Sequence, residues 1–267
     1  MTAATALFLF AHQDDEFGVF QKIVDELAAG NRVICAFMTT GTVGGASPEA
    51  RNRESLAVLE KLGVDSGDVI FVGQQLQIDD GALMHRLDDA AVWLHDWIVA
   101  CSSLRALYLP AWEGGHPDHD SLHAVGVTVA QNAGLLHLAR QSSLYNGYKR
   151  PGQLFNVMRP LPMNGPVERF SVPWGHRIAF LRHCLCYPTQ RKTWIGLFPF
   201  VLLHYVFGGR DAMQPVSPER LASRPHEGAL YYERRQFTTW PELCERVAAF
   251  TARSRDQADS SRAHGAS

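Results

Sequence analysis

The sequence has no apolar run long enough for a membrane span, few cysteines, no excess of basic charge and no glycine-rich turn after its first strand. Each absence excludes something. A spanning helix needs about 20 consecutive apolar residues, whereas the longest run here, Ile195 to Gly209, is interrupted by Pro199 and His204. The five cysteines (Cys35, Cys101, Cys184, Cys186 and Cys244) are odd in number and irregular in spacing. That excludes a disulfide framework and points to a reducing, cytoplasmic compartment. Cys184-x-Cys186 has no second Cys or His pair at zinc-finger spacing, so the thiols are expected as buried, small apolar side chains. Lys and Arg number 25 against 27 Asp and Glu, a formal net charge of −2, so no basic field favours nucleic acid. No basic segment precedes the first apolar run, and Met1 to Phe10 reads as a strand and not as a signal peptide.

What is present fits a globular α/β chain. The 267 residues are 46% hydrophobic and 19% charged, enough for one large domain with a core. Strand patterns at Leu7–Ala11, Val33–Met38, Val69–Val72 and Leu104–Leu109 alternate with helical patterns at Phe17–Ala29, Ser47–Gly63, Leu83–Ala100 and His119–Ala133. A fifth strand is expected at Ser143–Tyr148. Such alternation predicts a Rossmann-like open parallel sheet, order 3-2-1-4-5, with helices on both faces. The α/β core covers about residues 1–150. An elaborated C-terminal lobe covers 151–253, with strands near Glu168–Val172 and Leu230–Phe237 and a last helix from about Pro241 to Ala252. The polar segment 254–267 reads as a disordered tail.

Two motifs carry chemistry. Ala11-His12-Gln13-Asp14-Asp15-Glu16 stands where strand one passes into helix one, the position of the phosphate loop in a dinucleotide-binding protein. Its carboxylates would repel a pyrophosphate, so that cofactor reading fails. The cluster Gly41, Gly44 and Gly45 follows strand two and reads as a flexible active-site loop. Imidazole and carboxylate suit zinc: His12 and Asp15 can converge on one ion, leaving Asp14 free as a base. The acids also fit a plain role as caps of helix one. Glu113-Gly114-Gly115-His116-Pro117-Asp118-His119-Asp120 follows strand four and opens helix four. With strands one and four adjacent, both motifs fall in the crevice at a topological switch point, where open α/β sheets bind ligands.

These residues resemble the PIG-L (LmbE-like) family of zinc-dependent N-acetylglucosamine deacetylases, whose motifs AHPDDE and HPDH stand here as AHQDDE at Ala11–Glu16 and HPDH at His116–His119. Weaker echoes are Thr40-Gly41, Arg51-x-x-Glu54 before Leu62-Gly63, and Thr189-Gln190. The resemblance covers roughly residues 5–135. It implies that His12, Asp15 and His119 bind zinc, that Asp14 is the general base, and that a protonated His116, oriented by Asp118, stabilises the oxyanion and assists departure of the amine. It also implies that Arg51 reaches the substrate. Gln13 departs from the family proline, which implies altered loop geometry or specificity with the ligands intact. The implied activity is zinc-dependent removal of an N-acetyl group from an amino sugar or related glycoside, with no organic cofactor. Alternatives are a thiol-conjugate amidase, an esterase, a non-catalytic carbohydrate-binding relic, and a nucleotide-binding regulatory protein, the last disfavoured by the missing glycine loop.

The apolar stretch Trp194–Phe207 admits two readings. One is a core helix or packed hairpin. The other is a partly exposed apolar surface near the pocket mouth, with Arg191, Lys192 and Arg210 facing phosphates, that receives a lipid-linked sugar or rests peripherally on the inner membrane.

Overall fold

The computed structural model describes residues 3–44 and 47–265. Met1 and Thr2 of the first strand reading, Gly45 of the glycine cluster, and Ala266 and Ser267 of the tail lie outside them. Strands β1 (Thr5–Phe10), β2 (Arg32–Phe37), β3 (Val69–Phe71), β4 (Leu104–Pro110) and β5 (Ala139–Ser142) form a parallel sheet in the expected order 3-2-1-4-5. A short hairpin of β6 (Tyr145–Asn146) and β7 (Asn156–Val157) follows. The sheet then continues past β5, antiparallel, through β9 (Arg210–Pro215), which the sequence pattern does not announce, and β8 (Glu168–Ser171), the strand expected near Glu168–Val172.

The helices are α1 (Phe20–Ala28), α2 (Glu49–Leu62), α3 (Val72–Leu76), α4 (Leu87–Ala100), α5 (Pro117–Asn132), α6 (Trp174–His183), α7 (Arg191–Leu203), α8 (Tyr231–Arg234) and α9 (Trp240–Gly265). β1 shows why both faces are covered. Ala6, Phe8 and Phe10 point into one core with Phe20, Val58 and Phe180. Leu7, Leu9 and Ala11 point into the other with Leu94, Leu122 and Phe250. Alternation of period two with both sets fully buried is what a sheet between two helical layers requires.

Three expectations need correction. The fifth strand lies at Ala139–Ser142 and not at Ser143–Tyr148, because the Glu113 carboxylate accepts the backbone N–H groups of Leu144 (2.6 Å) and Tyr145 (3.0 Å) and turns the chain out of the main sheet into the β6–β7 hairpin. Leu230–Phe237 is a helical turn and not a strand. The Glu233 carboxylate accepts from the Leu230 N–H at 2.8 Å and the Trp240 N–H at 3.0 Å, capping α8 and tying it to the start of α9. The last helix runs on to Gly265. Leu243, Val247 and Phe250 bury its inner face, Arg253 reaches Asp88 at 2.7 Å, and no glycine or proline interrupts the helix between Pro241 and Gly265. All five cysteines are free; Cys35 and Cys184 are buried, whereas Cys101, Cys186 and Cys244 are only half-buried.

Candidate metal centre and active site

β1 and β4 run side by side in parallel, so the loops leaving their carboxyl ends meet. The first loop carries His12, Asp14 and Asp15, the second His116, and the first turn of α5 adds Asp118 and His119. His116 is the N-cap of α5: its backbone is extended, Pro117 opens the helix, and its Nδ1 accepts the Asp118 N–H at 3.2 Å. Proline suits that first position because its missing N–H has no helical partner there. Gly115 permits close approach, since a Cβ would collide with the Tyr145 carbonyl.

Ligand atoms of His12, Asp15 and His119 lie within 4.8 Å of one another, all three residues buried. His119 Nε2 is 3.1 Å from each Asp15 oxygen, and His12 Nδ1 is 3.5 Å from Asp15 Oδ2. The other His12 nitrogen, Nε2, faces Asp118 Oδ2 at 3.0 Å and Asp80 Oδ1 at 3.1 Å. A ligating histidine held through its second nitrogen by a carboxylate is the usual arrangement around a metal. His12, Asp80, His116 and Asp118 form a second group of the same kind. The imidazole nitrogens and carboxylate oxygens brought together here are donors that suit a borderline divalent ion. The donor set therefore fits a divalent metal. Burial favours neutral Asp15, but His119 and His12 outweigh it and hold its carboxyl well below the usual range; Asp80 is held low in the same way by His12 and His116.

Asp14 sits beside the ligands in a left-handed backbone (φ 108°). A non-glycine residue there is strained, typically by about 1–3 kcal/mol, and must be held by its surroundings. Glu16 holds it: Oε2 accepts the Asp14 N–H at 3.0 Å and Oε1 the Tyr187 hydroxyl at 2.9 Å. Arg51 holds the rest of the loop, donating to the carbonyls of Gly41 and of Gln13 (2.7 Å) and lying 3.5 Å from Asp14 Oδ1. With its amide oxygen turned to the guanidinium, Gln190 accepts from Arg51 Nη1 and Nε at 3.2 Å each. Arg51 lines the cavity, with most of its donors engaged in positioning the loop. Burial pushes the Asp14 carboxyl up to about 8, against Arg51 and aided by Asp15 and Glu16. Burial, and next to it His12, push His116 down to about 4. That direction is opposite to the protonated ring the resemblance implies; with Nδ1 accepting the Asp118 N–H, a neutral ring carries its proton on Nε2. The Asp118 carboxylate also serves differently than expected. It lies 3.8 Å from His116 Nδ1 but bonds His12 and the Gly81 and Leu83 N–H groups at 2.7 and 3.0 Å. His116 is oriented by the Asp118 backbone.

A cavity of about 330 Å³ opens onto His12, Asp14, Asp15, Asp80 and His116. Sequence reasoning missed Asp80, whose Asp-Asp-Gly turn belongs to no periodic element. It also missed the aromatic wall of Tyr145, Phe155, Tyr231 and Phe237 and the cation Arg235, most of them set by how the C-terminal lobe folds back, whereas Lys192, expected near the pocket mouth, does line the cavity. The two faint echoes in the sequence meet here: Glu54 of α2 accepts from the Thr189 N–H at 3.0 Å and its hydroxyl at 2.5 Å, which puts Gln190 beside Arg51.

Residues 7–130 match the PIG-L family, GlcNAc-PI de-N-acetylase, which bears out the resemblance read from the two motifs. No curated protein matches the chain. The fold is shared with solved deacetylases. One, a triple mutant of a deacetylase from the teicoplanin biosynthetic pathway, is 17% identical with a TM-score of 0.62, the match covering 80% of this chain and 98% of that one. The A40926 pseudoaglycone deacetylase is 18% identical with a TM-score of 0.60, covering 81% and 98%. The N,N'-diacetylchitobiose deacetylase of Pyrococcus horikoshii is 16% identical with a TM-score of 0.54, covering 80% and 84%.

Proposed function

We propose that this protein is a zinc-dependent N-deacetylase that hydrolyses the acetamido group of an amino sugar or related glycoside. The observation that carries the reading is the convergence of His12, Asp15 and His119 beside a cavity that Asp14 and His116 also line. The family match and the deacetylase activity of the neighbours named above support it.

His12, Asp15 and His119 would hold the ion, which supplies a Lewis acid for the amide carbonyl and lowers the pKa of water bound to it. Asp14 accepts a proton from the attacking water. A base whose pKa lies near the working pH suits that task, and burial places Asp14 there. As the carbonyl oxygen gains charge, the His116 Nε2–H donates to it, an interaction worth a few kcal/mol in a dry site (about 3 in well-studied cases). The proton held by Asp14 then passes to the amide nitrogen as the C–N bond breaks, releasing acetate and the free amine. Tyr145, Phe155, Tyr231 and Phe237 give the cavity apolar walls against which a sugar ring can lie.

The test is acetate release, followed by NMR, from a panel of N-acetylglucosamine derivatives with the zinc-loaded protein. Release that stops on chelation and returns with zinc is expected. Sugar binding without release under any divalent metal would favour the non-catalytic reading, and cleavage of thiol conjugates alone would favour the other amidase.

A further inference from the structure

A second, larger groove of about 930 Å³ lies on the other side of Phe155, the residue that lines both it and the catalytic cavity. One of its walls is the end of α7 and the π-helical turn His204–Gly208 that follows. Along this helix Trp194, Leu197, Val201 and Tyr205 recur at helical spacing and are buried, whereas Ile195, Leu202, Leu203, Val206 and Phe207 stand exposed on a neighbouring face. Phe207 is 81% exposed, Ile195 69% and Leu203 51%. Leu154, across the groove, is 53% exposed. Single exposed apolar residues need no explanation, but a contiguous patch does.

The rim says what covers it. Arg150, Arg159, Arg169 and Arg210 line the groove and no acid does. Among the described residues none of the four has a carboxylate within 4.0 Å; Arg150 bonds only the Asn156 amide, at 2.7 Å. A second copy of this chain seated on the patch through a two-fold axis would bring these arginines onto one another. No helix among the described residues is long and apolar enough to cross a membrane. An apolar helical face with a cationic rim is instead the signature of an element lying in a bilayer interface.

We infer that this face docks on an anionic lipid bilayer, with Phe207, Leu203 and Ile195 entering the acyl boundary and the four arginines meeting headgroup phosphates. The catalytic cavity, one residue away, then opens at the lipid surface. The inference stands apart from the reaction, because docking is read without turnover.

The test is flotation of the full chain with vesicles of phosphatidylcholine alone or mixed with phosphatidylglycerol. Docking predicts binding to the mixed vesicles at low salt, little binding to phosphatidylcholine, and release at high salt as charge is screened. Arg159→Gln with Arg210→Gln should weaken binding to mixed vesicles about fivefold per arginine. Leu203→Ser with Phe207→Ser should weaken it about tenfold or more, since full burial of one such side chain is worth about 1.5–3 kcal/mol. Melting curves check that the variants fold, and the wild-type vesicle series decides even if one does not. Absence of binding to mixed vesicles at low salt overturns the inference. So does binding that neither double variant changes, or a dimer in sedimentation that the Leu203/Phe207 variant dissolves.

Discussion

Gln13 Nε2 donates to the Asn52 side-chain oxygen at 2.7 Å, and Asn52 in turn donates to Gln74 at 3.0 Å. The residue that stands where the family has proline thus turns away from the metal ligands and ties the motif loop to α2. Its amide oxygen is buried without a partner. Asn52→Ala would leave the Gln13 amide hydrogens only the Thr39 carbonyl at 3.3 Å. Losing a buried partner costs about 1–3 kcal/mol, so denaturant unfolding should show that loss. Asn52→Asp, which keeps the acceptor, should lose less. Equal losses would mean that the contact carries no specific weight.

The ligand assignment separates metal binding from rate. His12→Ala with Asp15→Ala should lose bound metal by elemental analysis. Asp14→Asn and His116→Ala should keep it and lose about two to four decades of turnover. Metal retained by the His12/Asp15 double variant would refute the assignment; full turnover by Asp14→Asn would leave Asp14 a structural acid.

Asp118 distinguishes two readings of its role. If its carboxylate serves His12, as the 3.0 Å contact indicates, Asp118→Asn should weaken metal affinity about tenfold to a hundredfold, the usual effect of removing such a partner. If it serves His116 instead, metal affinity should stay and rate alone should fall. Metal-buffered titration tells these apart.

Much of this was legible in the chain, for physical reasons. The first four parallel strands are short apolar runs between helical patterns, a local signal, and the switch-point crevice follows from their order, whereas β5, Ala139–Ser142, is polar and lies a few residues before the expected strand. His12, Asp15, His116 and His119 sit within two short motifs at strand ends, so the topology alone brings them together. Asp80, Tyr145 and Phe155 are different: each reaches the cavity through a loop whose path depends on tertiary contacts such as those of Glu113 with Leu144 and Tyr145. Strand-like residues at Leu230–Phe237 became a helical turn because one carboxylate, Glu233, captured the Leu230 and Trp240 N–H groups, which no local propensity reveals.

Away from the site, Glu26 links stability to pH. It is buried and bonded by Tyr108 (2.6 Å), Asn31 (2.6 Å) and Lys22 (2.8 Å). Burial raises its pKa, but Lys22 and Tyr108 outweigh burial and hold it below the usual range. A depressed folded-state pKa gives stability that is complete above the unfolded value, about 4.3, and is lost as pH falls through the folded one. Glu26→Gln should therefore melt below the wild type at pH 7, by about 1–3 kcal/mol for bonds to a charged group, and the gap should close below about pH 4. A gap independent of pH would show that the charge of Glu26 is not what matters.

The contact of Glu54 with Thr189 should set how well the C-terminal lobe closes on its substrate. Thr189 immediately precedes Gln190, which lines the cavity beside Lys192, and the Glu54 carboxylate accepts both the backbone N–H and the hydroxyl of Thr189. Neither residue touches the cavity, so removing the contact loosens a wall without altering the reacting groups. Uniform loss of binding raises KM and spares kcat. Glu54→Ala should therefore raise KM severalfold at nearly constant kcat, and Thr189→Ala should do so less, because the backbone N–H remains. The double variant should be no worse than Glu54→Ala, since residues in one contact are not additive. Additive effects, or a fall in kcat as large as that of Asp14→Asn, would show that the two residues act separately or that Glu54 reaches the chemistry through the loop that Arg51 holds.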